Sequence, residues 1–401
     1  MLRLSRFNLA VRQLYDKVAS LSTTWKFILI AFVAFVVFAW SKGPPPGQDH
    51  YVWLASAFLH GKLGISNTGL EELVNWHGNY YVVYPPGPAV LLMPFVAVFG
   101  TSFDESILSI ILASISVSAT WVMLRKVGAN KNKALWLTIL FGFGTCLWFT
   151  ASVGTSWYIA EVVAVLFLTS AIVLTLYQKN YAIIGLLLGF ATLARLTVVL
   201  AFPFFLFMVY ERNPSWKPRF KQAAVFLIGL AIPIILYVAY NIVRYGTVLD
   251  IGYNIIIKND PNYPYGLYSI YYLPKHIYAI FFQGPILLSS FPYFKPNWMG
   301  LGLFFTTPAF IYIFKGPWNR LSKYAIIAIL CILPSLVFHG TVGFTQFGYR
   351  FSLDFTPFLM LLTANGMGEN LGWRAKALII LSVLVNLWGI ISIIKFNFVS
   401  F

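Results

Sequence analysis

The sequence predicts an all-α, polytopic integral membrane protein with about eleven transmembrane helices. Three observations predict it. Of 401 residues, 59% are hydrophobic and only 10% are charged, where a soluble domain carries roughly 25% charged residues. Apolar runs recur from end to end, each long enough to cross roughly 30 Å of hydrocarbon. Lysines and arginines cluster between alternate runs, as the positive-inside rule requires of a chain that crosses repeatedly. No polar stretch is long enough to fold alone, so residues 1–401 read as a single transmembrane domain.

The elements follow in order. Arg3, Arg6, Arg12, Lys17 and Lys26 precede the apolar run Phe27 to Trp40. No small-x-small cleavage site follows, so the run reads as a retained first span, about 25–41, leading outward from a cytoplasmic basic flank. A first outer loop, about 42–104, comes next. It holds a short amphipathic helix at 50–61, the polar stretch "ISNTGLEELVNWHGNYY" and then "YPPGPAVLLMPFVAVFG". The apolar part of the last is only about 14 residues, too short to cross. Treating it as a span would also put "RKVGANKNK" outside. It therefore reads as a second interfacial helix.

Residues 105–124 then lead inward, 134–150 outward, 157–176 inward and 181–194 outward. Residues 196–211 lead inward and 222–242 outward to a long outer loop, 243–297. The segments 298–314, 323–338, 355–368 and 375–394 complete the threading, inward and outward in turn.

Charge tests this threading. The cytoplasmic side receives nineteen of the 28 Lys/Arg and three of the 12 acids, net +16, which is the whole formal charge of the chain. The outer side receives nine of each and is neutral. A net charge of +16 thus reads as membrane topology beside an anionic inner leaflet, and not as nucleic-acid binding. All five histidines (50, 60, 77, 276 and 339) fall outside or at the outer boundary. Chemistry is therefore expected on the outer face.

Other classes lack support. Cys146 and Cys331 lie in apolar runs and read as small hydrophobes, with no disulfide framework or thiolate metal site. There is no glycine-rich phosphate loop and no inverted duplication of the kind many secondary transporters show.

Several residues can carry chemistry. Asp49, in "GQDHYVWLASAFL", is placed to cap a helix through its carboxylate, or to act as a general base at the mouth of an outer cavity. His50 beside it is an aromatic neighbour or a donor to a phosphate. Glu161 lies about one turn inside an apolar helix, which is costly unless it faces a wet cavity or a partner. Asp104 and Glu105 read as a helix cap and first-turn acid. Arg195 closes "GLLLGFATLARLTVVLAFP" at a span boundary, where it either snorkels or takes a lipid phosphate in a two-pronged grip. Arg350, in "FTQFGYRFSLDFTPFL", either pairs with Asp354 at i,i+4 or forms a cationic pocket wall, with Tyr349 beside it. Tyr84, in "YYVVYPPGP", offers a hydroxyl, although aromatics at this depth also serve as interface belts.

Taken in order, "YVWLASAFLHGKLG" after Asp49, "YPPGPAVLLMPFVAVFG", "LLLGFATLARLTVVLAFP", "NIVRYGTVLDIGY" and "FGYRFSLDFTPFLMLL" resemble the GT-C superfamily of polytopic glycosyltransferases. The nearest branch contains the protein O-mannosyltransferases and aminoarabinose transferases. The likeness covers nearly the whole chain. It implies a polyprenyl-phosphate sugar as donor, a catalytic acid in the first outer loop and two interfacial helices there. The chain departs from the family at His50, where relatives often carry a second acid, and at "YPPGP", where many have a lysine before the prolines.

The expected reaction needs only one carboxylate, because a lipid phosphate leaves as a stable anion and needs cationic stabilisation instead of a proton. Asp49 is the expected base, and inversion the expected outcome. Arg195, Arg350 or His50 are expected to stabilise the departing phosphate, Glu161 to bind sugar hydroxyls or orient a partner, and Tyr349 and Tyr84 to lie on the substrate. No cofactor is required; a divalent cation stays open as an alternative that nothing in the sequence supports. Expected partners are a polyprenyl-phosphate-linked sugar donor, membrane lipids, and a lipid, glycan or protein acceptor. Short loops and the lack of a retention signal point to a prokaryotic plasma membrane, with the site facing outward. The alternative is a polytopic transporter or lipid flippase with no covalent chemistry.

Overall fold

The computed structural model describes residues 21–44 and 47–397, so the basic flank from Arg3 to Lys17 lies outside them. Helix α1 (Thr23–Ser41) is followed by an outer segment built from α2 (His50–Leu59), a hairpin of β1 (Leu73–Trp76) and β2 (Asn79–Val82), and α3 (Gly87–Phe99). The bundle continues with α4 (Glu105–Lys126), α5 (Lys131–Phe143), α6 (Leu147–Val153), α7 (Trp157–Leu176), α8 (Tyr181–Thr192), α9 (Phe202–Arg212) and α10 (Trp216–Tyr245). The long outer loop carries α11 (Leu273–Phe281) and a small hairpin, β3 (Ile286–Leu287) with β4 (Phe294–Lys295). Helices α12 (Arg320–Val337), α13 (Thr356–Gly366) and α14 (Trp373–Ile390) complete it.

The chain is a polytopic, all-α membrane protein, and every segment read as a span is helical over much of its length. The spans are less uniform than expected. Among the described residues six helices reach membrane length, and α5 with α6 are together long and apolar enough but are bent by 49° at the break between them. Residues 196–211 become a 3-10 turn, Leu196–Ala201, before α9. Residues 298–314 break into Leu303–Thr306 and a 3-10 turn, Pro308–Phe314, while a 3-10 turn, Arg350–Asp354, precedes α13. Pro203, Pro308 and Pro357 each occupy the first or second position of their helix. A proline starts a helix there because it needs no N–H, and it prevents the helix from extending backward.

Contacts between loops agree with the alternation of directions. At one end Asn130 Nδ2 donates to Glu369 O (3.1 Å) and Arg212 Nη1 to Thr175 O (2.6 Å). At the other, Lys395 Nζ donates to Trp40 O (3.2 Å) and Gly87 N–H to Leu193 O (2.8 Å). Helices α4 and α7 fill the middle of the bundle, with 72% and 78% of their apolar windows buried against 11% for α1. A helix that is apolar all round its circumference belongs there. Helices α8 and α10 approach backbone to backbone. A Cβ on Gly185 would lie 2.0 Å from Phe226 O, and one on Gly229 would lie 2.1 Å from Ala182 O. Only a missing side chain permits that separation.

The β1–β2 hairpin adds an element that the reading of spans and interfacial helices does not contain. His77 (φ 51°) and Gly78 (φ 81°) form its two-residue turn, and Trp76 pairs with Asn79 across it. Positive φ at both turn positions gives the twist that suits a tight hairpin.

Candidate active site

A cavity of about 890 Å³ opens at the end of the bundle that carries the two interfacial helices. Its cationic wall comes from broken spans. Helix α8 stops before Leu193, the next turn starts at Leu196, and Arg195 between them is extended (φ −141°, ψ 105°). Irregular backbone at this depth is tolerated where it lines a cavity. Arg195 Nε and Nη2 donate to Asp354 Oδ1 (3.1 Å) and Oδ2 (3.0 Å), and Thr197 also donates to Oδ2. Arg350 Nη1 donates to Glu161 Oε1 (2.9 Å). The Phe351 ring lies beside both guanidiniums, with centroid distances of 5.1 Å to Arg195 and 5.2 Å to Arg350.

These pairs leave donors unused. Arg195 spends two of its five N–H groups on Asp354, and its side chain stays 21% exposed. Arg350 Nε is buried with no hydrogen-bond partner among the described residues, as is Glu161 Oε2. An unpaired buried donor costs about 1–3 kcal/mol, and the unspent N–H groups of the partly exposed Arg195 are the ones a ligand with acceptors can take up. A phosphate does so in the geometry the planar fork prefers.

A second part of the lining is acidic and aromatic. The hairpin brings Glu71 and Glu72 to the cavity beside Tyr84 and Trp157. Glu72 has φ 54°, in the left-handed region. Its Oε2 accepts from Tyr84 OH and from Trp157 Nε1 (2.9 Å), while Oε1 has no protein donor among the described residues. The hairpin is held from behind by buried Arg244, which donates to Val82 O (2.8 Å) and Asn241 Oδ1 (2.7 Å).

The residues singled out from the sequence divide into three groups. Arg195, Arg350 and Tyr84 line the cavity. His50, Glu161 and Tyr349 do not line it and are buried behind the wall. His50 is fully buried, with Nδ1 2.6 Å from Ser156 Oγ and Nε2 donating to Glu71 O at 2.6 Å. It ties α2 to the hairpin and to the start of α7, and burial holds its pKa below the usual value. Glu161 is the counter-charge of Arg350, and the Tyr349 hydroxyl donates to His276 Nδ1 (2.8 Å). Asp49 stands alone: it occupies the N-cap of α2 but makes no capping bond through its side chain. It lines a side cavity of about 170 Å³ with Glu105 and Thr155, and Gln48 borders both cavities. Asp104 does cap α4, accepting from Ser106 N–H (3.0 Å), and Lys42 pairs with it at 2.6 Å.

Of the two alternatives for Arg350, the i,i+4 pair with Asp354 does not form: Asp354 turns to Arg195 and Arg350 to Glu161. The segment is a 3-10 turn, in which i and i+3 eclipse. Residue i+4 then points to another side.

No family model matches the chain, and no curated protein matches it. It is similar to a solved structure, ArnT from Cupriavidus metallidurans bound to undecaprenyl phosphate, with 13% identity and a TM-score of 0.52. The alignment covers 88% of this chain and 62% of that one, so the chain spans less than two thirds of the length of the protein it matches. At this identity the likeness establishes the fold. The chain shares the polytopic, all-α fold of that protein.

Proposed function

We propose that the chain is a membrane glycosyltransferase that moves a sugar from a polyprenyl-phosphate donor to an acceptor hydroxyl on the extracytoplasmic side. The observation that carries this reading is the pair of arginines, Arg195 and Arg350, that line one cavity, with Arg195 partly exposed and only two of its N–H groups spent on Asp354. The fold likeness to a protein solved with undecaprenyl phosphate supports it.

In this mechanism the donor phosphate lies against Arg195 and Arg350, and its sugar ring against the aromatic lining with Glu72 as hydroxyl acceptor. The acceptor oxygen attacks the anomeric carbon from the face opposite the phosphate. The anomeric carbon–oxygen bond to the phosphate breaks, polyprenyl phosphate leaves as an anion, and the acceptor proton passes to Asp49. Configuration inverts through an oxocarbenium-like state. Fixed cationic donors at the leaving group need no reorganisation as charge develops, and such preorganisation supplies much of the rate enhancement in many enzymes. A base in the side cavity, apart from the arginines, suits an acceptor arriving from the opposite face. The scheme uses no metal or cofactor.

Release of free polyprenyl phosphate from mannosyl, glucosyl and arabinosyl polyprenyl phosphates, by the protein reconstituted in vesicles with a membrane extract as the source of acceptor, tests the reading across several sugars at once. Release from none of them above protein-free vesicles counts against it.

A further inference from the structure

We propose that residues 270–294 form a skirt seated in the lipid of the leaflet at the cavity end of the bundle, with bilayer lipid as its occupant. The first support is a helical stripe. Ile270 (65% exposed), Tyr271 (71%), Ile277, Tyr278, Phe281 and Phe282 (69%) recur at i, i+1, i+7, i+8, i+11 and i+12, so they share one face along α11 and the turn before it. His276, Ala279 and Ile280 occupy the buried face. A helix packed on a water-soluble surface shows polar groups outward. Here the outward face is aromatic and aliphatic, the composition that settles at a headgroup–acyl boundary.

The β3–β4 hairpin extends the same patch. Leu287 is 81% exposed and Phe291 is 84% exposed, far more than an aqueous loop leaves open to no purpose.

Continuity with the spans identifies what covers it. Phe281 stacks on Phe304 (5.6 Å) and Phe304 on Phe314 (5.7 Å), along a membrane segment whose Ile311 and Phe314 are exposed. Phe294 meets Trp388 of α14 at 5.3 Å. The patch is therefore an extension of the lipid-facing belt. Its inner face bears on the cavity, because His276 holds Tyr349, the neighbour of Arg350. The skirt holds whatever reaction the cavity runs, so its failure and that of the proposed function are separable.

The test uses bimane attached at Leu287→Cys and, separately, at Phe291→Cys. The background is Cys331→Ser, since Cys146 is buried. The protein is reconstituted in phosphatidylethanolamine–phosphatidylglycerol vesicles, with Ile235→Cys on the exposed face of α10 as the lipid-facing reference. Quenching by phosphatidylcholine spin-labelled near the acyl carbonyl is expected within about twofold of the reference, with iodide quenching at least about fivefold weaker than on free dye. Strong iodide quenching at both positions overturns the proposal by placing the hairpin in water. Weak quenching by both probes overturns it by assigning the face to a second copy or another protein.

Discussion

Arg195 grips Asp354 with two nitrogens, Nε at 3.1 Å and Nη2 at 3.0 Å, across a break between two spans. The carboxylate fixes the plane of the guanidinium and leaves its remaining N–H groups for the cavity. Replacing Arg195 with alanine is expected to lower kcat by about 10²-fold or more, the scale of losing a preorganised oxyanion donor. Arg195→Lys should restore little, because a point charge cannot serve both Asp354 oxygens and a phosphate. Initial rates of polyprenyl phosphate release check this, and a wild-type rate in Arg195→Ala removes the phosphate assignment.

Asp49 and Glu72 are given different tasks, and kinetics separates them. Asp49→Asn is expected to lower kcat by about 10²–10⁴-fold with KM little changed, as loss of a general base does. Glu72→Gln removes a sugar contact and should mainly raise KM, by about tenfold. The reverse split transfers the base to Glu72, which borders the large cavity directly.

Glu161 is fully buried and opposes Arg350. Glu161→Gln leaves that guanidinium uncompensated and is expected to cost about 3–5 kcal/mol of stability. The double variant Glu161→Gln, Arg350→Met should recover much of the loss without recovering transfer. Thermal unfolding in detergent measures both. A single variant as stable as wild type means the pair does not hold this wall.

How much of this is legible in the sequence depends on the kind of signal. Charge asymmetry places the loops, and Arg195 stands out because a guanidinium interrupts an apolar run. The breaks beside Arg195 and Arg350 are not readable from periodicity, since segments apolar on every side carry no amphipathic stripe to mark where helix stops. Helical spacing therefore pairs Arg350 with Asp354, where the 3-10 turn separates them. Glu72 is inconspicuous inside a polar stretch, although "LVNW", "HG" and "NYYV" together spell a two-residue hairpin that turns it inward. His276 gives no signal, because its partner Tyr349 lies 73 residues away.

Acid should weaken the outer wall. Burial pushes the rings of His276 and His339 from an ordinary 6.5 down to about 4. Between these values the unfolded chain binds protons that the folded chain refuses, so stability is complete above about 6.5 and falls with pH toward about 4. His276→Gln, which keeps an acceptor for Tyr349 and a donor for His339 O, should make this slope shallower. Melting temperatures at about pH 7, about pH 5.5 and about pH 4.5 supply the comparison. An unchanged slope removes His276 from the acid response.

Whether the arginine-lined cavity carries out covalent transfer is decided by following both lipid products in one reaction. Vesicles containing the protein receive radiolabelled polyprenyl-phosphate sugars together with a membrane extract as the source of acceptor. A glycosyltransferase yields free polyprenyl phosphate and an equal amount of sugar on a new acceptor, with both lost together in Arg195→Ala and Asp49→Asn. Movement of the intact donor lipid across the bilayer, with no free polyprenyl phosphate formed, overturns covalent transfer and makes the chain a lipid transporter.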